Sequence, residues 1–151
     1  MELLWTRLDA QSGHKAAYRL LAQAVCPLPE IHKTPQGKPF FVGSDLHFSL
    51  SHTKKHAFCA ISPGNIGIDA EEISRTIDLR LAEKILSPTE KRRFDDADNK
   101  PAALLRLWVL KEAYGKLTGR GWGNYLRETD FDPFDPRIQI IDGCYVAVLE
   151  E

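Results

Sequence analysis

Three acidic residues stand where a bound cation could use their oxygens. Asp69 and Glu71 lie two positions apart at the end of an apolar run whose alternation predicts a strand. Residues i and i+2 of a strand share a face, so both carboxylates are expected to point the same way. Glu112 is a third acid, in a predicted helix whose neighbouring residues are mainly apolar. Because buried acids are rare unless they are paired or bind a metal, the three suggest oxygen ligands for a hard cation.

Basic and aromatic residues accompany these acids. Trp108, Glu112 and Lys116 follow at four-residue steps, which places them on one stripe of a helix. Taken alone, the stripe favours an ion pair between Glu112 and Lys116 on a solvated helix face. Taken with the other two acids, and with Lys38 and His52 as donors to phosphate oxygens, the set predicts a magnesium-bound phosphate site.

A zinc site and a cysteine nucleophile are both weaker interpretations. His52 and His56 lie four residues apart, but Thr53 stands where the glutamate of His-Glu-x-x-His belongs, and the strand pattern leaves little room for a helix. Three cysteines without Cys-x-x-Cys spacing indicate free thiols. Cys59 lies in an apolar run, which favours a small buried thiol over a nucleophile. No partner spacing singles out the other histidines, His14, His32 and His47.

Strand patterns prevail in the first half of the chain and return at its end. Residues 2–8 alternate loosely and predict an opening strand. The proline-containing segment 27–39 is expected to be a loop. Asp142-Gly143, within the β-branched segment 137–149, predicts a hairpin. Three further strands are predicted at 47–50, 57–61 and 66–71.

Helices are predicted between and after these strands. The first begins at its N-cap, Ser12, and stops before Pro27. A capping box at Ser87–Glu90 opens another, and the longest covers 99–119 and should be largely buried because it is apolar most of the way round. A shorter helix after Ser74 is indicated by apolar residues spaced for burial, namely Leu79, Ala82, Ile85 and Leu86.

Length and charge limit the classes of function. The chain has 151 residues, of which 43% are hydrophobic, and 20 basic against 21 acidic residues give a formal charge of -1. These values predict a single domain over residues 1–151 and argue against a dedicated nucleic-acid binder, which normally carries a basic excess. No apolar stretch approaches the roughly 18 residues of a membrane span, and no basic-then-apolar leader is readable, so a cytoplasmic protein is expected.

Four motifs, in order along the chain, resemble those of the 4′-phosphopantetheinyl transferases, and within them the larger single-chain type that activates surfactin synthetase. The separations of 17 residues from His52 to Asp69 and 43 from Asp69 to Glu112 are also similar to that type. The motifs are Gly37-Lys38-Pro39 with Phe48-Ser49-Leu50-Ser51-His52, Gly67-Ile68-Asp69-Ala70-Glu71, Ser87-Pro88-Thr89-Glu90, and Trp108-Val109-Leu110-Lys111-Glu112-Ala113-Tyr114-Gly115-Lys116 with Gly119-Arg120-Gly121.

The resemblance implies both a fold and a reaction. The fold would be α+β, with short antiparallel sheets packed with helices and two similar halves, about 1–65 and 66–151, related by a pseudo-twofold axis. Coenzyme A would lie in the cleft between the halves. The reaction would transfer its phosphopantetheine arm to a serine of an apo acyl or peptidyl carrier protein and release 3′,5′-adenosine diphosphate.

The resemblance also assigns roles to residues. Asp69, Glu71 and Glu112 match the acidic positions of a magnesium site, where Mn²⁺ is an alternative ion. The expected catalytic residues are Glu112, Lys116 and Asp69: Glu112 is the candidate base that takes the serine proton, directly or through water, and Lys116 stabilises the transferring phosphate or assists proton transfer. The positions that match those holding coenzyme A are Lys15, Lys38, Ser51, His52 and Lys116.

Relative to the larger type, the chain looks abbreviated at both ends. A basic helix expected before Ser12 is missing, and the C-terminal sheet is reduced to about one hairpin. We therefore expect lost contacts to the 3′-phosphate of coenzyme A, with lower affinity or replacement by Lys33 or Arg7. The chain exceeds the length of the small trimeric holo-acyl-carrier-protein synthases and residues 1–65 supply a first half, so a monomer is expected.

The choice of carrier protein stays open, and two other classes of function compete. Lys54, Lys55 and the cluster Lys91–Arg93 could contact an acidic carrier helix or could equally be solvated surface. One alternative is a coenzyme A or carrier-protein binding module that has lost turnover, although binding alone would not need all of the acids and Lys116. The other is an α+β interaction domain whose acids are simply solvated.

Overall fold

Two three-stranded antiparallel sheets with long helices against them form most of the structure, a computed structural model that describes residues 1–121 and 123–151. The strands are β1 (Glu2–Arg7), β2 (Ile31–Lys33), β3 (Pro39–Phe41), β4 (His47–His52), β5 (His56–Ser62), β6 (Ile66–Glu72), β7 (Ile138–Ile141) and β8 (Cys144–Glu150). The helices are α1 (Gly13–Ala24), α2 (Ala82–Ile85), α3 (Pro88–Asp95) and α4 (Lys100–Thr118), with 3₁₀ turns at Leu79–Leu81 and Asn124–Glu128.

Each large sheet has its most buried strand in the middle. The first has the order β1-β5-β4, and β5 is buried along its whole length. The other has the order β6-β8-β7, with Asp69 of β6 opposite Ala147 of β8. A third, two-stranded sheet pairs β2 with β3. The expected α+β class with short antiparallel sheets and packed helices is therefore confirmed.

The predicted helix ends are confirmed by their caps. The side chain of Ser12 accepts a hydrogen bond from the Lys15 N–H at the start of α1. Ser87 and Glu90 form both hydrogen bonds of a capping box at α3. The longest helix, α4, ends at Gly119, whose φ of +70° is the left-handed conformation that glycine adopts without strain.

Strand β6 lies between the first sheet and α4. Its residues Ile66, Ile68 and Ala70 are buried in one apolar cluster with Phe58 of β5 and Val146 of β8. Its alternate positions face α4, which is itself mostly buried, as predicted. No helix in the described part of the chain is both long enough and apolar enough to cross a membrane.

Two of the local predictions are wrong. Segment 27–39 is not only a loop, because it contains strand β2, in which Ile31 pairs with Phe41 of β3. Both residues pack in the apolar cluster beside α1, and Gly37 has a positive φ in the turn between the strands. Leu79 is 40% exposed although its spacing suggested burial. The side chain of Asp78 caps a tight 3₁₀ turn there, which rotates Leu79 outward from the buried residues of α2.

The cysteines are free, as predicted, and two of them are buried. Cys59 and Cys144 are fully buried, and Cys26 is exposed. Burial raises the pKa of Cys59 to about 12, so this thiol stays protonated at neutral pH. The prediction of a small buried thiol is therefore confirmed for Cys59.

A buried ion pair ties the two helices of the second half to the segment after α4. Lys111 of α4 and Glu90 of α3 are almost fully buried, with 2.7 Å between Nζ and Oε2. The ammonium also donates to the carbonyl oxygens of Leu126 and Thr129, and Glu90 accepts from the Phe131 N–H at 2.7 Å. These contacts fix residues 126–131 against α4.

We expect Glu90→Gln to lower the free energy of unfolding by about 3–5 kcal/mol, because it leaves the Lys111 ammonium buried without its counter-charge. Urea unfolding followed by circular dichroism measures the change. Arg80→Gln is the control, since Arg80 pairs with Asp78 on the surface, and its unfolding midpoint should match the wild type. A Glu90→Gln midpoint equal to that of the control would contradict this role.

Candidate functional site

A cleft of about 440 Å³ lies between α1, the β2–β3 hairpin, strands β4 and β6, and the C-terminal half of α4. Its walls come from both halves of the chain. Five of the eight predicted site residues line it: Lys38, Ser51, His52, Asp69 and Lys116.

Asp69 is the buried acid among these residues, with 7% of its surface exposed. Its Oδ1 accepts a hydrogen bond from the Ser51 hydroxyl at 3.1 Å and pairs with Lys116 Nζ at 2.9 Å. Its other oxygen, Oδ2, is buried and has no hydrogen-bond partner in the described part of the chain. A buried carboxylate oxygen without a partner is costly, so this atom fits a bound cation.

Serine hydroxyls hold β6 beside β4 and thereby place Asp69. The two strands belong to different sheets, and Ser49 and Ser51 of β4 accept hydrogen bonds from the backbone N–H groups of Ile68 and Ala70 at 3.1 and 3.2 Å. The Ser51 hydroxyl therefore contacts both the strand and its carboxylate. This junction between the sheets forms the floor of the cleft.

Lys116 reaches across the cleft floor from α4. Its Nζ donates to the Leu50 carbonyl oxygen at 3.2 Å as well as to Asp69. The stripe of Trp108, Glu112 and Lys116 is thus not a solvated helix face, because the Lys116 ammonium contacts strands β4 and β6. The Lys116 ammonium thus donates one hydrogen bond to β4 and one to β6.

Glu71 belongs to a different cavity. With His52 and Lys54 it lines a second groove of about 830 Å³, and His52 borders both the groove and the cleft. Its Oε1 accepts from Trp108 Nε1 at 3.2 Å and pairs with Arg75. Burial and the charge of Asp69 raise the pKa of Glu71, and Arg75 partly offsets this rise.

Glu112 borders a third, much smaller cavity of about 30 Å³, together with Lys116 and Gly121. This volume suits one water molecule. Among the described residues, no three His, Cys, Asp or Glu side chains are grouped closely enough to hold a metal ion. Asp69, Glu71 and Glu112 thus lie around Lys116 and β6 without forming a preassembled three-ligand site.

The predicted coenzyme A residues are partly engaged elsewhere. Lys38 Nζ donates to Asn65 Oδ1 at 2.5 Å and to the Leu117 carbonyl oxygen at 2.7 Å, and burial lowers the pKa of Lys38. It therefore ties the hairpin to the C-terminal end of α4 while it lines the cleft. Lys15 is exposed and is not among the described residues that line the cleft.

The structure adds cleft residues that the sequence did not single out. His14 and Tyr18 of α1 line the cleft with ring centroids 4.9 Å apart. Their i,i+4 spacing places them on one face of α1, but the sequence does not indicate that this face lines a cleft. Of the two proposed substitutes for lost phosphate contacts, Lys33 lines the cleft and Arg7 pairs with Asp142.

The cleft combines basic side chains with the buried carboxylate of Asp69, a composition suited to an anionic ligand. Basic side chains surround a buried carboxylate with one open oxygen, and the cleft is large enough for a nucleotide-sized molecule. Residues 65–144, more than half of the chain, match the family model of the 4′-phosphopantetheinyl transferase superfamily. The chain belongs to this superfamily.

Curated relatives carry the same family name. The chain is 37% identical over 91 residues to the 4′-phosphopantetheinyl transferase gsp of Aneurinibacillus migulanus, a stretch that covers 59% of the chain and 38% of the relative. It is 40% identical over 77 residues to psf-1 of Bacillus pumilus, covering 50% and 33%. It is 36% identical over 105 residues to AcpT of Salmonella typhi, covering 66% and 55%.

The matched region is thus between one third and just over one half of the length of these relatives. The resemblance to the 4′-phosphopantetheinyl transferases is confirmed.

The approach of α4 to β6 depends on Gly67. A Cβ atom there would lie within 2.9 Å of the Ala113 carbonyl oxygen and of backbone atoms of Leu117. These are main-chain atoms, so α4 would have to move away from the strand that carries Asp69.

We expect Gly67→Ala to lower the free energy of unfolding by about 1–3 kcal/mol, because the added methyl group overpacks this contact. Differential scanning calorimetry of the purified variant measures the change. An unchanged melting temperature would contradict the claim that Gly67 sets the distance between β6 and α4.

Proposed function

We propose that this chain transfers the 4′-phosphopantetheine arm of coenzyme A to a serine of an apo acyl or peptidyl carrier protein and releases 3′,5′-adenosine diphosphate. Coenzyme A binds in the cleft, and the carrier serine approaches its pyrophosphate. Family membership supports the reaction, and the residues of the cleft support the choice of substrate.

The observation that carries this proposal is the environment of Asp69. A buried carboxylate with one partnered and one open oxygen, next to the Lys116 ammonium, supports a site where a cation and phosphate oxygens meet. A solvated interaction domain would have no reason to bury this acid. That alternative is therefore disfavoured.

The donor set fits Mg²⁺ or Mn²⁺, because both prefer carboxylate oxygens. Asp69 and Glu71 are the strand ligands in this proposal, and Glu112 completes the set from α4. When bound, the ion neutralises charge on the pyrophosphate and on the leaving phosphate.

Side chains of the protein stabilise the phosphate, accept the serine proton and bind coenzyme A in this proposal. Lys116 holds Asp69 in place and stabilises the phosphate that is transferred. Glu112 accepts the serine proton, directly or through a water in the small cavity beside it. Ser51, His52 and Lys38 contact the nucleotide and phosphates, and Lys15, more remote from the cleft, is an outer contact to the 3′-phosphate.

The two halves, about 1–65 and 66–151, are proposed to be related by a pseudo-twofold axis within one transferase domain. Each contributes one three-stranded sheet with one long helix packed against it, which supports this relation. Because both walls of the cleft come from one chain, the proposal includes a monomer. The three free cysteines support a reducing compartment, the cytoplasm.

The groove that contains Glu71 is the proposed approach path of the carrier serine, because it meets the cleft at His52. Lys54 on its rim and the neighbouring Lys55 supply positive charge toward an acidic carrier helix. The cluster Lys91–Arg93 is a weaker candidate, since Lys91 pairs with Glu83 and Asp95 and Arg93 donates to Phe131.

A catalytically impaired coenzyme A or carrier-protein binding module is the second candidate. It is favoured by one observation: Asp69, Glu71 and Glu112 border three different cavities of the structure. Such a module would bind the ligand in the same cleft without transfer.

Intact-mass spectrometry of apo acyl and peptidyl carrier proteins after incubation with this protein, coenzyme A and Mg²⁺ tests the proposal. We expect a mass gain of one phosphopantetheine arm that depends on the metal and is lost in Glu112→Gln, which keeps the side-chain shape but removes the base. Arg80→Gln is the matched surface control and should retain full activity. Binding of coenzyme A without transfer to any carrier would instead support the binding module.

A further inference from the structure

Arg75 is a basic side chain with no part in the proposed reaction, and it contacts a proposed cation ligand, Glu71. It forms an ion pair with Glu71, and its guanidinium lies 5.5 Å from the centre of the Trp108 ring. Trp108 donates its own N–H to the same carboxylate oxygen, Oε1 of Glu71. Arg75, Trp108 and Glu71 therefore contact one another, and Arg75 and Glu71 line the groove.

We propose that Arg75 is the internal counter-cation of Glu71 and competes with the divalent ion for this carboxylate, so that it sets the cation affinity of the site. The inference rests on the proposed function, because it takes Asp69 and Glu71 as the strand ligands. It concerns how readily the site accepts the ion.

The two strand acids differ in how they are held. Lys116 contacts only Oδ1 of Asp69 and leaves Oδ2 open. On Glu71, two donors converge on one oxygen, and one of them carries a full positive charge. A like charge next to a ligand disfavours a second cation, so Glu71 is the acid at which competition acts.

Arg75 can leave Glu71 without disturbing the fold. Its backbone N–H bonds to the Glu72 carbonyl oxygen at 2.9 Å, which fixes the main chain in a turn after β6. Its side chain is 39% exposed, against 19% for Glu71, and it lines the open groove. Only side-chain rotation is needed to move the guanidinium into solvent, where it is free to meet an anionic carrier protein.

Mn²⁺ affinity measured by electron paramagnetic resonance of the free ion tests the inference without reference to activity. For Arg75→Gln we expect a Kd for Mn²⁺ about three- to tenfold lower than in the wild type, since one partly exposed ion pair no longer has to be broken. Arg75→Lys keeps the charge but loses the planar contact with Trp108, so its Kd should lie between the two.

Arg80→Gln is the matched control, because it removes the same charge from a surface pair with Asp78 and should leave the Kd unchanged. Equal affinity in Arg75→Gln and the wild type, or equal tightening in both glutamine variants, would overturn the inference. If transfer to carrier proteins still requires Mg²⁺ in that case, the proposed function stands. If the wild type binds no Mn²⁺ and Asp69→Asn changes nothing, the cation site itself fails, and this inference fails with it.

Discussion

The burial of one carboxylate, that of Asp69, is the constraint on which the rest of the site depends. A carboxylate that is only 7% exposed loses its hydration and needs polar partners in the protein. Both halves of the chain supply one: the Ser51 hydroxyl of β4 and the Lys116 ammonium of α4. Those two contacts hold the strand edge and the helix at fixed distances from each other. The remaining oxygen is buried without a hydrogen-bond partner among the described residues, which supports the proposed cation site.

Much of the fold follows from local signals in the sequence. Helix caps and turns depend on interactions within a few residues, so they can be predicted without the tertiary structure. The examples here are Ser12, the capping box at Ser87, Gly119 and the Asp142-Gly143 turn. The strand face carrying Asp69 and Glu71 is likewise set by alternation alone. The short β2–β3 hairpin was missed because its proline-containing sequence reads as a loop, and only packing beside α1 makes it a sheet.

The site was less predictable than the fold, because its contacts join distant residues. Spacing along α4 suggested that Lys116 pairs with Glu112, whereas the helix turns Lys116 toward Asp69, 47 residues earlier. Lys38 reads as a free phosphate donor, but it binds the end of α4, 79 residues later. The resemblance of the motifs selected the candidate residues, and their partners follow only from the packing of β6 against α4.

The most direct test of the account is isothermal titration calorimetry of coenzyme A binding with and without Mg²⁺, in the wild type and in Asp69→Asn. We predict that Mg²⁺ tightens coenzyme A binding to the wild type and that this gain disappears in Asp69→Asn, which removes the charge but keeps the side-chain shape. Wild-type affinity that is independent of Mg²⁺, or a gain that persists in Asp69→Asn, would contradict it.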